Sequence, residues 1–445
     1  MKAAILIIDD EKKLSQLLAR ILQLEGYTVW QAHTAKEGLK VLEQEDVHVV
    51  ISDVKLPDAS GVELVKTIKE GKPYTEVICL TAYGTIQDGV TAIKNGAFDY
   101  ITKGDDNDRI LPLVSKAAEK AALQFKVFQL ERKLIRRHSF DSIIGYSKPV
   151  KQAIDLARRV SVTDTTVLLL GDTGTGKEVF AQAIHYNSTR KNNNFVAINC
   201  SAFSTELLES ELFGYKAGAF TGALKDKKGL MEEADGGTLF LDEMGEMNID
   251  LQAKLLRVLE SGEFIKLGQT KTQKVNIRII AATNRSLEQE VEKGAFRRDL
   301  YYRLSIFTIT LPSLNERTED IPLLAEHYLK EFALKTNQQV QKMDAGFLKQ
   351  LMVHQWKGNI RELKNLIERA VIIADGPVLT ADLLPFDFAS AHPVHSGVFD
   401  LSLIEKQHIN NVLKYTKGNK TEAARLLNIG LTTLYRKIDE YRLVV

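Results

Sequence analysis

Apolar runs alternate with amphipathic stretches throughout residues 1–110. The runs AILII, VHVVIS, EVICL and DYIT each end in polar residues, and stretches with a helical period, such as KLSQLLARILQLEG, lie between them. This alternation predicts a parallel sheet with helices on both faces. The carboxyl ends of parallel strands meet at one edge of a sheet, which is where ligands bind in such folds.

The polar residues at these strand ends form a candidate metal and phosphoryl site. The carboxylates of Asp9, Asp10 and Asp53 would repel one another without a neutralising cation, and Mg²⁺ prefers oxygen ligands. An aspartate carboxylate can also act as a nucleophile and form an aspartyl phosphate. Thr81 and Lys103 could hold the phosphoryl oxygens. A single acidic strand end would be explained by solubility, but the ordered set favours a site.

This set resembles the receiver domain of bacterial response regulators. The resemblance implies that Asp53 is the phosphoacceptor and that Asp9 and Asp10 are metal carboxylates. It also implies that Thr81 and Lys103 sense the phosphate and that Tyr100 is the switching aromatic residue. Receivers usually have proline after the lysine, whereas this chain has Gly104. A Lys–Gly bond is expected to be trans, so the loop geometry would differ from the usual pattern.

The segment after the receiver pattern predicts a short coiled-coil-like seam. Its apolar positions are spaced alternately by four and three and are Val114, Ala118, Ala121, Phe125 and Phe128. Packing of a last receiver helix on its own domain explains Val114 and Ala118 equally well. Phe125 and Phe128 lie farther on, so we expect them to contact a partner chain in a dimer-forming helix.

Residues 167–178, VLLLGDTGTGKE, join an apolar strand to a glycine-rich loop and a lysine. They match the first seven positions of the phosphate-binding loop G-x-x-x-x-G-K-[ST]. Backbone N–H groups of such a loop cradle phosphates, and the lysine reaches the β and γ oxygens. Glu178 stands where a hydroxyl residue usually contacts Mg²⁺. The residues predicted to bind ATP are Gly171, Asp172, Thr173, Gly174, Thr175, Gly176, Lys177 and Glu178.

Two later strands end in residues suited to ATP hydrolysis. GGTLFLDEM supplies Asp242, which suits Mg²⁺ coordination, and Glu243, which suits activation of the attacking water. IRIIAATN ends in Asn284, which could sense the γ-phosphate. An arginine from a neighbouring subunit could neutralise transition-state charge. Candidates in FRRDLYYRL are Arg297, Arg298 and Arg303, and a surface ion pair is the alternative, most strongly for Arg298.

Residues 218–223, GAFTGA, place an aromatic residue in a glycine-flanked loop. Alone, this pattern would favour a structural turn with a buried phenylalanine. Among the nucleotide motifs, however, the run ELFGYKAGAFTGA resembles the bacterial enhancer-binding activators of sigma-54 RNA polymerase, a branch of the AAA+ ATPases. The resemblance implies a loop that grips sigma-54 through Gly218, Ala219, Phe220, Thr221, Gly222 and Ala223.

The same resemblance extends to other positions. That branch also has Glu at the position of Glu178. The resemblance implies that Asn199 is the switch partner of the catalytic glutamate. It implies that Arg297 and Arg303 act in trans and that Arg361 of WKGNIREL is the second sensor. It further implies a ring with ATP between subunits. Lys357 replaces the usual proline before GN, which would alter the start of the lid but not the chemistry.

The chain ends in a pattern of three short helices. KTEAARLLN and TTLYRKIDEYRL flank a turn, which predicts a helix-turn-helix whose second helix enters the major groove. A plain three-helix interaction module is the alternative, and the resemblance is to Fis-type domains. The expected core residues are Ala424, Leu427, Ile429, Leu434 and Ile438. The residues expected to face DNA are Thr432, Thr433, Arg436 and Lys437.

Composition narrows the class of protein. Residues 1–120 carry 15 Lys/Arg and 19 Asp/Glu, whereas residues 398–445 carry 8 and 5, which predicts different partners at the two ends. Cys79 and Cys200 lie in apolar runs and form neither a disulfide framework nor a metal cluster, which favours a reducing cytoplasm. The N-terminal run ends in acids and is no signal peptide. No apolar stretch approaches the ~18 residues of a membrane helix.

The combined motifs resemble an NtrC-type response regulator, an α/β multidomain protein with a flavodoxin-like receiver, an AAA+ ATPase with a helical lid and an all-α Fis-type domain. We expect the receiver at residues 1–120, a coiled-coil linker helix at 121–138 and the ATPase at 139–385. A linker at residues 386–398 and the helix-turn-helix at 399–445 follow. The linker holds His392 and His395, to which no metal is assigned.

The resemblance implies phosphorylation by a sensor histidine kinase and ATP hydrolysis with Mg²⁺. It implies a homodimer when inactive, a hexamer or heptamer ring when active, remodelling of the sigma-54 RNA polymerase holoenzyme, and binding to enhancer DNA. Two alternatives are a DNA-binding regulator with a vestigial ATPase and an AAA+ remodeller of another protein.

Overall fold

The computed structural model describes residues 3–81, 86–103, 107–336, 338–385, 401–416, 418–441 and 443. Its residues fall into two compact units. The first unit comprises residues 1–143, 152–171 and 176–311, and the second comprises residues 144–151, 172–175 and 312–445. Gly104 and the predicted linker with His392 and His395 lie outside the described residues. Among the described helices, none combines the length and apolar character that crossing a membrane requires.

The first part of the first unit is a five-stranded parallel sheet with helices, as the alternation of runs predicts. The strand order is β2-β1-β3-β4-β5. Its elements are β1 Ala4–Ile8, α1 Lys12–Leu24, β2 Thr28–Ala32, α2 Ala35–Gln44, β3 Val49–Asp53, α3 Gly61–Gly71, β4 Glu76–Thr81, α4 Ile86–Lys94, β5 Asp99–Thr102 and α5 Asn107–Arg137. Strands β1, β3 and β4 are almost wholly buried, which explains their continuous apolar sequence.

Helix α5 runs without a break from the receiver pattern into the predicted linker helix. The rings of Phe125 and Tyr74 lie 4.8 Å apart, those of Phe125 and His48 lie 5.2 Å apart, and Phe128 also lies 5.2 Å from Tyr74. Phe125 and Phe128 therefore pack on their own receiver, and the expectation that they contact a partner chain is wrong. Tyr74 and His48 precede β4 and β3, so the receiver surface extends further along α5 than periodicity indicates.

The second part of the first unit is another five-stranded parallel sheet, ordered β12-β6-β11-β8-β7, with a separate β9–β10 hairpin. Short 3-10 turns at Phe140–Ser142, Cys200–Ala202 and Met244–Glu246 join its elements. The helices and strands are α6 Lys148–Ser161, which belongs to this unit from residue 152 onward, β6 Val167–Leu170, α7 Lys177–Tyr186, β7 Phe195–Asn199, α8 Thr205–Phe213, α9 Leu230–Glu233, β8 Thr238–Asp242, α10 Ile249–Ser261, β9 Glu263–Ile265, β10 Thr272–Lys274, β11 Arg278–Thr283, α11 Leu287–Glu292, α12 Arg298–Leu304 and β12 Phe307–Thr310.

The second unit is mostly helical. A core around Trp356, Phe332 and Phe347 holds its first helices together. The elements are 3-10 turns Leu314–Asp320 and Ala381–Leu383, with α13 Ile321–Thr336, β13 Lys342–Met343, α14 Ala345–Val353, α15 Asn359–Ile373, β14 Val378–Leu379, α16 Leu401–Tyr415, α17 Lys420–Leu426 and α18 Leu431–Glu440.

Helices α16, α17 and α18 form a small separate core. Ala424, Leu434 and Ile438 are buried in it, and Leu427 and Ile429 pack against it, as the helix-turn-helix pattern predicts. The turn between α17 and α18 contains Asn428 with φ 53°, in the left-handed region.

We expect Phe125→Ala to weaken the docking of α5 on the receiver, because it removes the ring that contacts both His48 and Tyr74. The local loss is about 1–2 kcal/mol for a half-buried phenylalanine. Amide hydrogen exchange should become faster in residues 121–131, to the same extent at low and high protein concentration. Gln129→Ala is the control, because Gln129 is exposed on α5. A loss of protection by Phe125→Ala that appears only at high protein concentration would indicate that Phe125 contacts a partner chain instead.

Candidate functional site

The receiver sheet brings its predicted acidic residues to one edge. Ligand oxygens of Asp9, Asp10 and Asp53 all lie within 4.8 Å of one another. Lys103 follows β5, and its Nζ lies 2.6 Å from Asp53 Oδ2 and 2.9 Å from Asp9 Oδ2. Three carboxylates with one ammonium among them form a hard oxygen donor set, which fits Mg²⁺.

Burial and charge act in opposite directions on this cluster. Burial raises the pKa of the Asp9 carboxyl, although hydrogen bonds from Lys103 and the Glu11 amide lower it in part. Burial alone would lower the pKa of Lys103, but its hydrogen bonds to Asp53 and Asp9 raise that pKa overall. Lys103 is therefore charged at neutral pH and occupies space beside the carboxylates.

The predicted switch residues lie beside this cluster. Thr81 ends β4 and is buried, and Tyr100 lies in the neighbouring strand β5. Burial raises the pKa of the Tyr100 hydroxyl, which a hydrogen bond with Thr81 counteracts in part. The ring of Tyr100 packs over Gly89 of α4, where an added Cβ would come within 3.3 Å of it.

The phosphate-binding loop begins where β6 ends. Gly171, Gly174 and Gly176 have φ values of 155°, 82° and 104°, which a residue with a side chain rarely adopts. Lys177 begins α7, and its Nζ donates to Gly171 O at 2.8 Å. Glu178 lies in the first turn of α7 and accepts from Gln182 at 3.2 Å. Residues 172–175 belong to the second unit, where Thr175 Oγ1 donates to Asp172 O at 2.8 Å.

Strands β8 and β7 place Asp242 beside Asn199. Asp242 Oδ1 accepts from the backbone N–H of Glu243 at 3.0 Å. Glu243 has φ 51° and ψ 44°, a left-handed conformation that directs the chain sharply away from the strand. Asn199 Oδ1 accepts from Ser201, and in the described part of the chain no hydrogen bond joins Asn199 to Glu243. Asn284 is exposed just after β11.

Two of the candidate arginines, Arg297 and Arg303, form hydrogen bonds within their own chain. Arg297 forms two bonds with Asp299, at 3.1 and 2.7 Å, and these raise the pKa of its guanidinium. Arg303 donates to Leu259 O at 3.1 Å. Arg361 lies in the first turn of α15 and lines an open pocket of about 530 Å³ together with Thr173.

The GAFTGA loop projects from a short two-stranded neck. Tyr215 and Lys227 exchange backbone hydrogen bonds of 3.1 and 2.9 Å at its base. Lys216 forms an ion pair with Asp226, and Gly218 donates to Ala223 O at 2.8 Å, which closes the tip. Phe220 is 45% exposed and has an edge-to-face contact with Tyr215, and Thr221 is exposed. The structural alternative of a buried phenylalanine does not describe this loop.

In the helix-turn-helix, Thr432 and Arg436 are exposed on α18, and Thr433 is half-buried. The structure differs from the prediction at Lys437, because its Nζ donates to Glu405 Oε2 at 2.6 Å. Tyr441 donates to the same carboxylate oxygen at 2.5 Å. Packing of α16 against α18 thus pairs Lys437 with a carboxylate of its own chain.

Comparison with known proteins identifies the family. The Sigma-54 interaction domain matches residues 143–310, the Response regulator receiver domain matches residues 5–115, the AAA+ ATPase lid domain matches residues 315–398, and the Fis family of bacterial regulatory proteins matches residues 401–441. The chain is 39% identical over 442 residues to transcriptional regulatory protein GlrR of Escherichia coli K12, covering 99% of this chain and 97% of that one. The chain belongs to the NtrC-type family of sigma-54-dependent response regulators.

Other NtrC-type proteins are similar over the same length. Identity is 40% over 442 residues to ZraR of Salmonella typhimurium, covering 98% of this chain and 99% of that one. Crystal structures of NtrX from Brucella abortus in complex with ADP and with ATP match all of both chains, with a TM-score of 0.66 and 32% identity. The predicted fold class, a receiver with an AAA+ domain, lid and Fis-type domain, is confirmed.

Sequence reasoning did not identify three residues that contact the candidate site residues. Asp299 binds Arg297, and its position two residues later in the same motif is a signal that could have found it. Asn359 and Arg317 contact the phosphate-binding loop, and no local pattern pairs either residue with it.

We expect Lys103→Met to strengthen Mg²⁺ binding to the receiver about tenfold, which equals ~1.4 kcal/mol. The substitution removes the ammonium that contacts both Asp53 and Asp9, so the cation meets less like-charge repulsion. Isothermal titration of the purified protein with MgCl₂ measures the affinity. Lys40→Met is the control, because Lys40 is an exposed lysine on α2. Equal affinity of Lys103→Met and wild type would show that Lys103 does not oppose the metal.

Proposed function

We propose that this protein is a phosphorylation-controlled activator that hydrolyses ATP to remodel the sigma-54 RNA polymerase holoenzyme. The observation that carries the proposal is the GAFTGA loop, whose braced neck leaves Phe220 and Thr221 exposed. The same unit holds the strand-end residues suited to ATP chemistry. RNA polymerase and DNA as partners place the activity in the cytoplasm.

Asp53 is the proposed phosphoacceptor of the receiver. A sensor histidine kinase would supply the phosphoryl group, and a Mg²⁺ ion held by the three aspartates would neutralise its charge. Lys103 already contacts Asp53, so it is placed to pair with a phosphoryl oxygen. Tyr100 and Thr81 would respond to the modified aspartate, since they lie on the two strands beyond it.

Glu243 is the proposed activator of the attacking water, and Asp242 would hold Mg²⁺. Lys177 would exchange its contact with Gly171 O for the β and γ phosphates of ATP. Asn284 and Arg361 would sense the nucleotide. Arg297 and Arg303 would act on the ATP of a neighbouring subunit in a hexamer or heptamer, which requires Arg297 to leave Asp299.

The helix-turn-helix would hold the activator at enhancer DNA. Thr432 and Arg436 are the proposed contacts on α18, because both are exposed and lie one turn apart. Lys437 is not proposed as a base contact, since it is bound to Glu405.

The proposed inactive homodimer forms through a different stripe of α5 from the one that periodicity first indicated. Leu123, Val127, Leu130 and Leu134 are 62%, 53%, 52% and 43% exposed and are spaced by four, three and four. This is the spacing of a coiled-coil seam. In a parallel pair, Lys126 of one chain and Glu131 of the other flank the seam with opposite charges.

We expect Leu130→Lys to dissociate this dimer, because it places two ammonium groups opposite each other in the seam. Sedimentation velocity should show a dimer-to-monomer shift of at least about tenfold in dissociation constant, or ~1.4 kcal/mol. Gln129→Lys adds the same charge at an exposed position beside the seam and should leave the dimer intact. Equal dissociation constants for both variants would remove this stripe from the interface.

The sigma-54 contact is tested with ADP plus a γ-phosphate transition-state mimic. Wild type should retain purified sigma-54, whereas Thr221→Ala should lose retention at unchanged ATP turnover. Thr67→Ala, an exposed threonine on α3, should behave as wild type. If neither wild type nor the variants retain sigma-54 while their ATPase activity is intact, the client is a different protein and the general AAA+ remodeller is favoured. Undetectable ATP turnover by wild type would favour a DNA-binding regulator with a vestigial ATPase.

A further inference from the structure

Three consecutive carbonyl groups of the phosphate-binding loop accept hydrogen bonds from the helical unit. Asn359 Nδ2 donates to Thr173 O at 3.0 Å, and the backbone N–H of Ile360 donates to Gly174 O at 3.0 Å. Arg317 Nη2 donates to Thr175 O at 3.2 Å. Residues 172–175 and these donors all belong to the second compact unit.

Asn359 is the most constrained of these donors. It is 1% exposed and has φ 52°, a left-handed conformation at the first residue of α15. Its Oδ1 accepts from the backbone N–H of Leu314 at 2.7 Å while its Nδ2 binds the loop. Both ends of the amide are therefore used, which fixes the orientation of the side chain.

A close backbone approach completes this contact. A Cβ added to Gly174 would lie 2.3 Å from Gly358 O, so only glycine permits the loop to come this near. The backbone N–H of Gly358 donates in turn to Glu362 Oε2 at 2.8 Å, which fixes the start of α15.

The direction of the carbonyls determines the direction of the N–H groups. In a trans peptide the C=O of one residue and the N–H of the next point to opposite sides, and the described chain has no cis peptide. Holding the carbonyls of Thr173 and Thr175 toward the helices therefore turns the N–H groups of Gly174 and Gly176 the other way. The N–H of Thr175 closes a turn with Asp172 O at 3.3 Å and curves the loop.

We propose that Asn359 is a positioning residue for the nucleotide: it sets the peptide planes of the phosphate-binding loop so that N–H groups face the phosphates. The inference rests on the proposed ATP site. The side chain of Asn359 bonds to Leu314 and Thr173, and not to a proposed catalytic residue, so it acts through Thr173. Asn359 is the asparagine of the GN pair that begins α15, two residues before Arg361.

The test is Asn359→Asp in the full-length protein. Aspartate keeps the acceptor for Leu314 N–H and the shape of the side chain, but it places a carboxylate oxygen against Thr173 O. Repulsion between these two acceptors should rotate the Thr173–Gly174 peptide. The dissociation constant for ADP, measured by isothermal titration calorimetry, should rise on the order of tenfold. The KM for ATP should rise in parallel, with kcat reduced less than KM is raised.

Two further variants provide a matched control and a second test of the same contact. Asn428→Asp is the matched control, because Asn428 is another asparagine with positive φ, 53°, in the turn before α18, and it should bind ADP as wild type does. Asn359→Gly permits the left-handed backbone and removes both side-chain bonds, so it should also bind ADP more weakly. Asn359→Gly replaces Asn359→Asp as the test if Asn359→Asp does not fold, which thermal unfolding without nucleotide would reveal.

The outcomes separate the inference from the function on which it rests. If wild type binds ADP and both Asn359 variants bind it with the wild-type dissociation constant, the positioning role is overturned and the ATP site stands. A lower unfolding temperature with unchanged affinity would likewise reduce Asn359 to a structural residue. If wild type itself binds neither ADP nor ATP, the proposed function fails, and the inference fails with it.

Discussion

Parallel strands end at a common edge, and both candidate sites of this protein depend on that constraint. In the receiver it brings Asp9, Asp53 and Lys103 together although 94 residues of chain separate the first from the last. In the ATPase sheet it places Asp242 in register with Asn199. Charges gathered in this way need neutralisation, which explains why Lys103 lies among the carboxylates and why both edges suit a divalent cation.

A strand edge supplies charge but not orientation, and other parts of the fold provide it. Glu243 adopts a strained left-handed conformation directly after β8, so its side chain is set apart from that of Asp242. The neck of the GAFTGA loop holds Phe220 away from the core through the Tyr215–Lys227 bridge and the pair of Lys216 with Asp226. In each case backbone hydrogen bonds fix a short segment whose side chains are left to contact something else.

The parts of this structure that sequence could predict are those with a local signal. Apolar runs with polar ends located the strands and their acidic residues, because burial and strand termination are local properties. Periodicity did not assign the faces of α5, since a long helix carries two apolar stripes and spacing alone does not say which one its own domain covers. The contact of Asn359 with Thr173 spans 186 residues and depends on the packing of helices, so no local pattern reports it. The pattern of α18 alone assigned Lys437 to DNA, because its partner Glu405 lies on another helix and is not part of that pattern.

The docking of α5 limits how a signal from Asp53 can reach the proposed dimer seam. Tyr74 and His48 precede β4 and β3, so their contacts with Phe125 lie at the amino ends of the strands, whereas Asp53 ends β3. Glu76, the buried first residue of β4, pairs with Lys120 of α5 at 3.0 Å at that same end. No direct contact between the proposed phosphorylation site and this part of α5 is therefore possible across the length of the sheet. A change at Asp53 has to move strands, or the helices that flank them, before the stripe containing Leu130 can respond.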